Sequence, residues 1–245
     1  MKIALIGYGK MGKAIEAIAK KRGHEIALII DRKNAGNITI EQLSAADVAI
    51  EFSQPKAVVD NIKMCFSAGV PVVSGTTGWN EFLQGIKDEC IREKQTLFFA
   101  SNFSIGVNIF FEINKKLASL MNSQAQYDEV MIHEIHHTEK LDSPSGTAIS
   151  LADQIIQYLP RIKSWKNYSA DESMPETDDS ELPVFSSREP DVPGTHIVKY
   201  FSDDDEIEIV HKALSRHGFA LGAITAAEWV HDKKGVYTMS DLLKF

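Results

Sequence analysis

Short apolar runs rich in β-branched residues alternate with helix-forming stretches over the first hundred residues of the chain. The apolar runs are KIALIG, HEIALIID, DVAIEFS, VPVVSG and TLFFA, and the stretches between them predict helices up to Lys21, over 55–68 and over 79–94. Strands that are apolar nearly throughout and are separated by helices are typical of a parallel sheet covered on both faces. The pattern therefore predicts an α/β fold that begins with a Rossmann-like, doubly wound parallel sheet.

The pattern changes from Gly106 onward, where strands follow one another without intervening helices. This part contains the helical pattern VNIFFEINKKLASLM, the strand YDEVMIHEI, a helix over 146–158, and the strands GTHIVKYFS and DEIEIVHKA. Such an order predicts a second, α+β domain with a mixed sheet. Between Pro160 and Pro190 the composition is polar and acidic, as in SADESMPETDDSEL, which predicts a solvated loop. The tail is an alanine-rich helix interrupted by Gly222 and a short amphipathic end, and we expect it to return to the first domain.

Composition narrows the class of protein. The 245 residues are 44% hydrophobic with a net charge of −8, which is typical of a globular protein and argues against nucleic acid as a partner. We expect no membrane span, because every apolar run falls short of roughly 20 residues, and the N-terminus lacks the features of a signal peptide. Cys65 and Cys90 have helix-like surroundings and no CxxC partner, so they indicate neither a disulfide framework nor a zinc site. We expect a cytoplasmic protein.

A glycine motif directly follows the first strand. Gly7, Gly9 and Gly12 in IGYGKMG form GxGxxG at the mouth of a helix. In this context the first glycine permits a tight turn, the second lets the backbone approach a pyrophosphate, and the third lets the helix pack close to the strand. The second strand ends in Asp31, about 20 residues further on, where a carboxylate accepts hydrogen bonds from the adenosine ribose. The combination predicts dinucleotide binding.

The residues after the second strand leave the choice of dinucleotide open. Asp31 favours NADH, because a carboxylate repels a 2′-phosphate. Arg32 and Lys33 follow at once and could pair with that phosphate in NADPH, or could simply form a solvated turn.

Two further strand ends carry small polar loops, SGTTGW and ASNFSIGVN. Ligands of open α/β sheets bind beyond the carboxyl ends of the strands. Gly75, Thr76, Thr77 and Asn102 are therefore expected to face the nicotinamide half of the cofactor, although turn chemistry alone uses the same residue types.

The stretch HEIHHTEKLDSPSGTA begins with HExxH, the zinc-ligand pattern of a metalloprotease. That pattern requires a helix, whereas YDEVMIHEI alternates as a strand does. On a strand, His133 and His137 lie about 13 Å apart, too far for one zinc ion. We therefore expect no metal here, and ordinary surface histidines are the plain alternative.

The same stretch favours an anion site instead. His137 and Lys140, together with backbone amides of 145–147 at a helix N-terminus, would concentrate positive charge in an acidic protein. Such a site suits a small dicarboxylate. His136 is the candidate proton donor, since imidazole exchanges protons near neutral pH.

These residues resemble the signature ExHHxxKxDxPSGTA of the dihydrodipicolinate reductase family, also called 4-hydroxy-tetrahydrodipicolinate reductase. The signature is matched at Glu134, His136, His137, Lys140, Asp142 and 144–148. GYGKMG, SGTTG, ASNFSIGVN and HKALSRHGFALGAITAAEWV also look like family segments, so the resemblance covers nearly the whole chain.

The resemblance implies that hydride passes from NADH or NADPH to a cyclic unsaturated dicarboxylate, giving tetrahydrodipicolinate in lysine and diaminopimelate biosynthesis. It implies a dinucleotide-binding domain over 1–104 completed by 217–245, and a domain over 105–216 that binds substrate and forms a homotetramer. The implied catalytic residues are His136 and Lys140, and the implied substrate ligands are His137, Lys140, Ser145, Gly146 and Thr147. The implied cofactor contacts are Gly7, Tyr8, Gly9, Lys10, Met11, Gly12, Asp31, Arg32, Gly75, Thr76, Thr77, Ala100, Ser101, Asn102 and Phe103.

One segment departs from the family pattern RxGxxxGxH. Pro190 stands where the first glycine is expected, while Arg188, Gly194 and His196 are retained. The loop after Arg188 and any substrate role of that arginine are therefore open.

Two rival functions remain to be weighed. An amino-acid or semialdehyde dehydrogenase usually needs a cysteine nucleophile or a different catalytic dyad. A cofactor-sensing regulator should carry an attached DNA-binding segment or a degraded catalytic set, and neither is present in this sequence.

Overall fold

The computed structural model describes residues 1–169 and 179–245. Contacts divide the chain into two units, unit 1 with Met1–Ile105 and Arg216–Phe245, and unit 2 with Gly106–Ser215. Each unit has its own sheet and its own hydrophobic core. In the described part of the chain, no helix is both long and apolar enough to cross a membrane.

Unit 1 contains a six-stranded parallel sheet. Its strands are β1 (Lys2–Ile6), β2 (Glu25–Ile30), β3 (Val48–Glu51), β4 (Val72–Ser74), β5 (Thr96–Phe99) and β11 (Gly235–Tyr237), and they lie in the order β11-β5-β4-β3-β1-β2. Its helices are α1 (Lys10–Lys21), α2 (Ile40–Leu43), α3 (Val58–Ser67), α4 (Asn80–Arg92), α7 (His217–Val230) and α8 (Met239–Leu243). The C-terminal tail thus supplies helices α7 and α8 of unit 1 and the edge strand β11 of its sheet.

Alternate residues of each central strand enter two different cores. Ile3 and Leu5 of β1 pack with α1 and α7, whereas Ala4 and Ile6 pack with α3 and α4. A strand that is buried on both faces has no side that faces solvent, which is why these strands are apolar almost throughout. The predicted doubly wound parallel sheet is confirmed.

Unit 2 contains a five-stranded mixed sheet. Its strands are β6 (Glu129–His136), β7 (Ser164–Ser169), β8 (Glu181–Arg188), β9 (Thr195–Phe201) and β10 (Glu206–Lys212), and they lie in the order β10-β9-β6-β8-β7. Helix α5 (Ile105–Met121) and helix α6 (Gly146–Tyr158) cover one face, where Ile132, Val184 and Val198 are buried. The pairing of β6 is antiparallel to β9 and parallel to β8, so the predicted mixed sheet is confirmed.

The predicted solvated loop between Pro160 and Pro190 is wrong for most of the residues that the structure describes there. Strands β7 and β8 lie inside this segment and pair in parallel with each other. Leu182 and Val184 of β8 are fully buried in the core of unit 2. The most acidic part of the predicted loop, 170–178, lies outside the described residues. The strand signal was weak because β7 is a polar edge strand and Pro183 interrupts the apolar run of β8.

Candidate functional site

The glycine loop of unit 1 has the shape that its motif predicts. Gly7 adopts φ of 94°, and a Cβ there would lie 2.0 Å from the carbonyl oxygen of Phe52. A Cβ on Gly12 would lie 2.3 Å from the carbonyl oxygen of Gly7, so the helix could not approach the loop with any larger residue. By contrast, a Cβ on Gly9 would meet no atom of the described chain within 4 Å. Gly7 and Gly12 are thus needed for packing, while Gly9 opens onto free space.

That free space is a cavity of about 470 Å³ at the carboxyl ends of β1, β2 and β3. Its lining is Ile6, Gly7, Tyr8, Gly9, Ile30, Asp31, Arg32, Lys33, Ala35, Phe52, Ser53, Gln54, Ala57 and Asn61. Gly9 is also the N-cap of α1, whose first turn carries Lys10 and Lys13 and is otherwise uncharged. A helix N-terminus with these neighbours attracts phosphate.

The cavity brings together five of the predicted cofactor residues, namely Gly7, Tyr8, Gly9, Asp31 and Arg32. Within the described chain, the other ten do not line it: Lys10, Met11, Gly12, Gly75, Thr76, Thr77, Ala100, Ser101, Asn102 and Phe103. Sequence reasoning missed the loop after β3, which supplies Phe52, Ser53 and Gln54. The position of this loop in the sequence could have identified it, because Ser53, Gln54 and Pro55 directly follow a parallel strand and ligands bind at the carboxyl ends of such strands.

Glu51, at the end of β3, ties this missed loop to the predicted one after β4. Its fully buried carboxylate accepts hydrogen bonds from the Ser53 amide at 3.0 Å and from Ser74 Oγ at 2.8 Å. The Ser53 amide also lies 2.8 Å from Thr76 Oγ1. Thr76 is therefore attached to the wall of the cavity through Ser53.

The loop after β5 is fixed by close packing within unit 1. A Cβ on Gly222 of α7 would lie 1.8 Å from the carbonyl oxygen of Phe103, which explains the glycine that interrupts this alanine-rich helix. The Phe103 ring contacts the Phe52 ring at 5.6 Å between centroids, and a Cβ on Gly75 would overlap Phe52 at 2.2 Å. The loops after β4 and β5 thus pack against the Phe52 ring, while the glycine loop packs against the Phe52 backbone.

In unit 2, the HExxH residues do not form one site. His133 and Glu134 are neighbours on strand β6, so their side chains point to opposite faces of the sheet. His133 contacts Ser187 Oγ of β8 at 2.7 Å, and burial lowers its pKa. Glu134 and His136 share the other face, where both are buried. The strand prediction that argued against a zinc protease is confirmed.

Glu134 is the centre of a buried polar cluster. Its Oε2 accepts a hydrogen bond from the Ser145 amide at 3.0 Å and lies 3.3 Å from His136 Nδ1. Its Oε1 accepts one from Ser186 Oγ at 2.9 Å and lies 3.4 Å from the Arg188 guanidinium. Burial alone raises the pKa of a carboxyl, but the contacts from His136, Ser145 and Ser186 outweigh it and lower the pKa of Glu134 to about 2.

The start of α6 borders this cluster. Ser145 caps the helix by accepting a hydrogen bond from the Ala148 amide at 3.2 Å, and the first turn, Gly-Thr-Ala-Ile, is uncharged. Lys140 lies in the loop before the helix and forms an ion pair with Asp142 at 2.7 Å. An uncharged helix N-terminus with a nearby ammonium group can bind a carboxylate.

Arg188 ends β8 and holds the signature loop in place. Its Nη2 donates to the carbonyl oxygen of Asp142 at 2.7 Å, and its Nη1 donates to the carbonyl oxygen of Ser187 at 2.8 Å. Pro190 lies beyond the strand and leaves these contacts intact. Arg188 therefore connects the end of β8 to the loop that contains Asp142.

Ligand atoms of Glu134, His136 and His196 all lie within 4.8 Å of one another, a spacing that one metal ion could bridge. The surrounding contacts argue for a different use. Ser145 and Arg188 already engage Glu134, and His196 Nε2 lies 3.0 Å from Ser145 Oγ. A dication would have to displace these partners beside a guanidinium, so the cluster is better described as a group of polar side chains around one buried carboxylate.

The cluster predicts how stability depends on pH. Burial, followed by the neighbouring His136, lowers the pKa of His196 to about 3, whereas an unfolded histidine titrates near 6.5. As pH falls below 6.5, the unfolded chain binds a proton that the folded chain refuses, so the free energy of unfolding falls by up to about 1.4 kcal/mol per pH unit. Urea unfolding between pH 6.5 and 5.0 measures this slope. His196→Gln should reduce this slope, and His133 and His211, whose pKa values burial also lowers, account for what is left. His231→Gln, at the exposed end of α7, should leave the slope unchanged.

Comparisons with known proteins agree on one family. The family model "Dihydrodipicolinate reductase, N-terminus" matches residues 1–103, and "Dihydrodipicolinate reductase, C-terminus" matches residues 106–243. A 4-hydroxy-tetrahydrodipicolinate reductase from Christiangramia forsetii is 49% identical over 243 residues, covering 99% of this chain and 98% of that protein.

Two solved structures show the fold. A dipicolinate-bound dihydrodipicolinate reductase from Paenisporosarcina sp. TG-14 has a TM-score of 0.74 at 25% identity and covers 97% of each chain. An amine dehydrogenase from Mycobacterium smegmatis has a TM-score of 0.59 at 10% identity, covering 96% of this chain and 94% of that one. The second likeness concerns the fold alone.

Proposed function

The chain belongs to the dihydrodipicolinate reductase family, and from this premise we propose which of its residues perform the reaction. The protein is an NAD(P)H-dependent oxidoreductase of lysine and diaminopimelate biosynthesis, which reduces a cyclic unsaturated dicarboxylate to tetrahydrodipicolinate. We propose that unit 1 binds the dinucleotide and that unit 2 binds the dicarboxylate. The cavity beside Gly9 and the uncharged start of α6 support this division.

The residues of unit 1 fit a dinucleotide. The lack of a side chain at Gly9 leaves room for a pyrophosphate against the backbone, and Gly9 is also the N-cap of α1, where a helix N-terminus favours an anion. Asp31 would accept from the ribose, although its Oδ1 already accepts from the Lys33 amide at 2.8 Å. When bound, the reduced dinucleotide supplies the hydride.

In unit 2, His136 would deliver the proton that balances hydride addition to the unsaturated ring. His137, Lys140 and the amides of 145–147 would hold the two carboxylates, and Lys140 would serve as a second proton donor. The observation that carries this assignment is a single buried carboxylate, Glu134, that contacts both the His136 ring and the Ser145 amide. The proton donor and the anion-binding helix terminus are thereby held beside each other.

Turnover tests this assignment directly. The aldol product of pyruvate and aspartate semialdehyde should drive NADH oxidation, followed at 340 nm. Binding of the dinucleotide without turnover would instead favour a cofactor-sensing regulator.

We expect Arg32 to set the preference between NADH and NADPH, because it lines the cavity next to Asp31. Arg32→Ala should lower kcat/KM for NADPH about tenfold or more, since a charge-assisted hydrogen bond contributes about 1.5–3 kcal/mol. The value for NADH should change much less. Arg92→Ala removes an exposed arginine that pairs with Glu93 on α4 and serves as the matched control. A parallel loss with both cofactors would assign Arg32 to the turn rather than to the phosphate.

We propose that one face of the unit 2 sheet forms the interfaces of a homotetramer. This face lies opposite α5 and α6, and strand alternation assigns it a row of apolar side chains. They are Met131, Ile135, Ile197, Phe201 and Val210, and none of them belongs to the core that packs on the helices. Apolar surface of this kind is typical of protein interfaces. Sedimentation equilibrium should give four times the mass of the chain, and a monomer mass would contradict the proposal.

The cytoplasm is the compartment we propose. Cys65 and Cys90 are both free thiols, and a chain that pairs neither of them in a disulfide fits a reducing compartment. Recovery of the protein with a membrane or secreted fraction would contradict this placement.

A further inference from the structure

Glu134 has surroundings that a merely structural glutamate does not need. It is fully buried, and its two oxygens contact groups from three strands and one helix terminus. Burying a carboxylate is costly unless every lone pair is engaged. An apolar residue on β6 would fill the same volume without this cost, so the charge itself has a task.

The two nitrogens of His136 face different surroundings. Nδ1 lies 3.3 Å from Glu134 Oε2, although the two atoms are not aligned as a hydrogen bond in this conformation. Nε2 lies where a Cβ of Gly194 would approach to 2.9 Å, and φ of 152° makes glycine the favoured residue there. Catalytic hydrogen bonds are often long or poorly aligned before substrate binds and tighten afterwards.

We propose that Glu134 is a positioning residue for the proposed proton transfer: its carboxylate holds the proton of His136 on Nδ1 and leaves Nε2, beside Gly194, as the atom that exchanges a proton with substrate. The tautomer of a histidine is set by the partner of its other nitrogen. Through the Ser145 amide, the same carboxylate holds the start of α6 at a fixed place relative to that ring. This inference rests on the proposed role of His136.

The other charged groups of the cluster are compatible with this task. Arg188 of β8 contacts Oε1 of Glu134, the oxygen that does not face His136. Lys140 is paired with Asp142 in the loop between β6 and α6. On β9, the His196 ring packs against His136 at 5.0 Å between centroids, and burial lowers the pKa of His196 to about 3. His196 is therefore neutral near pH 7, and Glu134 is the anion in contact with Nδ1 of His136.

The tautomer can be measured in the unmodified protein. Nitrogen-15 NMR of the ring, assigned by loss of its signals in His136→Gln, should show the neutral form protonated at Nδ1. A neutral form protonated at Nε2 would overturn the proposal without recourse to any variant of Glu134.

Glu134→Gln tests the charge with little change of shape, because the amide oxygen can still accept from Ser145. We expect kcat to fall about 10- to 100-fold, which is part of the contribution of a general acid. The KM for the dicarboxylate should change less than about threefold, because the helix terminus is kept. The alkaline limb of the pH profile of kcat should move to lower pH, since loss of a nearby anion disfavours a protonated ring.

Glu181→Gln is the matched control, because Glu181 lies at the other end of β8 and bonds only the Tyr168 hydroxyl among its described partners, at 2.8 Å. It should change neither the pH profile nor the tautomer. A purely structural role for Glu134 predicts lower thermal stability with an unshifted pH profile, and this result would refute the proposal. If His136→Gln is inactive while Glu134→Gln retains full kcat, only the positioning role fails. If His136→Gln is itself fully active, the proposed proton donor fails as well.

Discussion

Replacing His136 with glutamine is expected to lower kcat by about 10²- to 10⁴-fold, the contribution that a general acid typically makes. The ring lies at the end of β6, almost fully buried and next to the start of α6, so no solvent molecule can easily take its place. Glutamine keeps a polar side chain of similar length but cannot carry and release a proton. Steady-state kinetics at 340 nm measure the loss.

The affinity for the dinucleotide should remain unchanged in this variant, because the glycine loop belongs to unit 1. Fluorescence titration with NADH checks this point. His231→Gln, at the exposed end of α7, is the matched control and should retain normal turnover. Normal turnover in His136→Gln would remove this histidine from its proposed role and would turn attention to Lys140.

The fold was predictable where the sequence pattern is local and strong. Strands β1 and β3 are apolar on both faces, and this feature alone indicates a sheet covered by helices on both sides. The glycine motif is equally local, since the φ angle of Gly7 and the close approach at Gly12 follow from a few neighbouring residues. The parallel sheet and the cofactor class could therefore be inferred from the amino-acid sequence alone.

Strands β7 and β8 were missed because they form by pairing with segments that are distant in the sequence. Strand β8 pairs with β6, which lies about 50 residues earlier in the chain. The apolar residues of the two strands are buried in the same core. The residues Ser164–Ser169 of β7 are mostly polar, and such a sequence is typical of a loop unless a neighbouring strand is known. The pairing of these two segments with other strands, and not their own sequence, determines that they are strands.

The candidate site divides in the same way. The signature loop and the glycine motif were visible as short patterns, although the catalytic and binding roles of their residues stay predictions. Among the residues that the structure describes, two glutamates are buried, Glu51 and Glu134. The sequence assigned no role to either, because a glutamate in a strand sequence usually faces solvent. Only the fold shows that one joins the loops after β3 and β4 and that the other joins a histidine to a helix terminus.

A pair of alanine substitutions in the glycine loop should separate packing from cofactor binding. In Gly7→Ala, the new Cβ would lie 2.0 Å from the Phe52 carbonyl oxygen at φ of 94°, so the loop must shift. We expect a loss of about 3 kcal/mol of stability and a Tm lower by about 10 °C. Dinucleotide affinity should fall at the same time, because Phe52 lines the cavity.

Gly9→Ala should behave differently, because φ of −85° suits alanine and the new Cβ meets no described atom within 4 Å. The Tm should change by less than about 3 °C, since only a helix N-cap is altered. The Kd for NADH should nevertheless rise at least about tenfold, because the methyl group occupies the space where backbone and pyrophosphate must meet. Differential scanning fluorimetry and fluorescence titration, done on both variants, measure the two effects. An unchanged Kd in Gly9→Ala would show that the pyrophosphate does not lie against this residue, whereas an unchanged Tm in Gly7→Ala would contradict the packing of the turn itself.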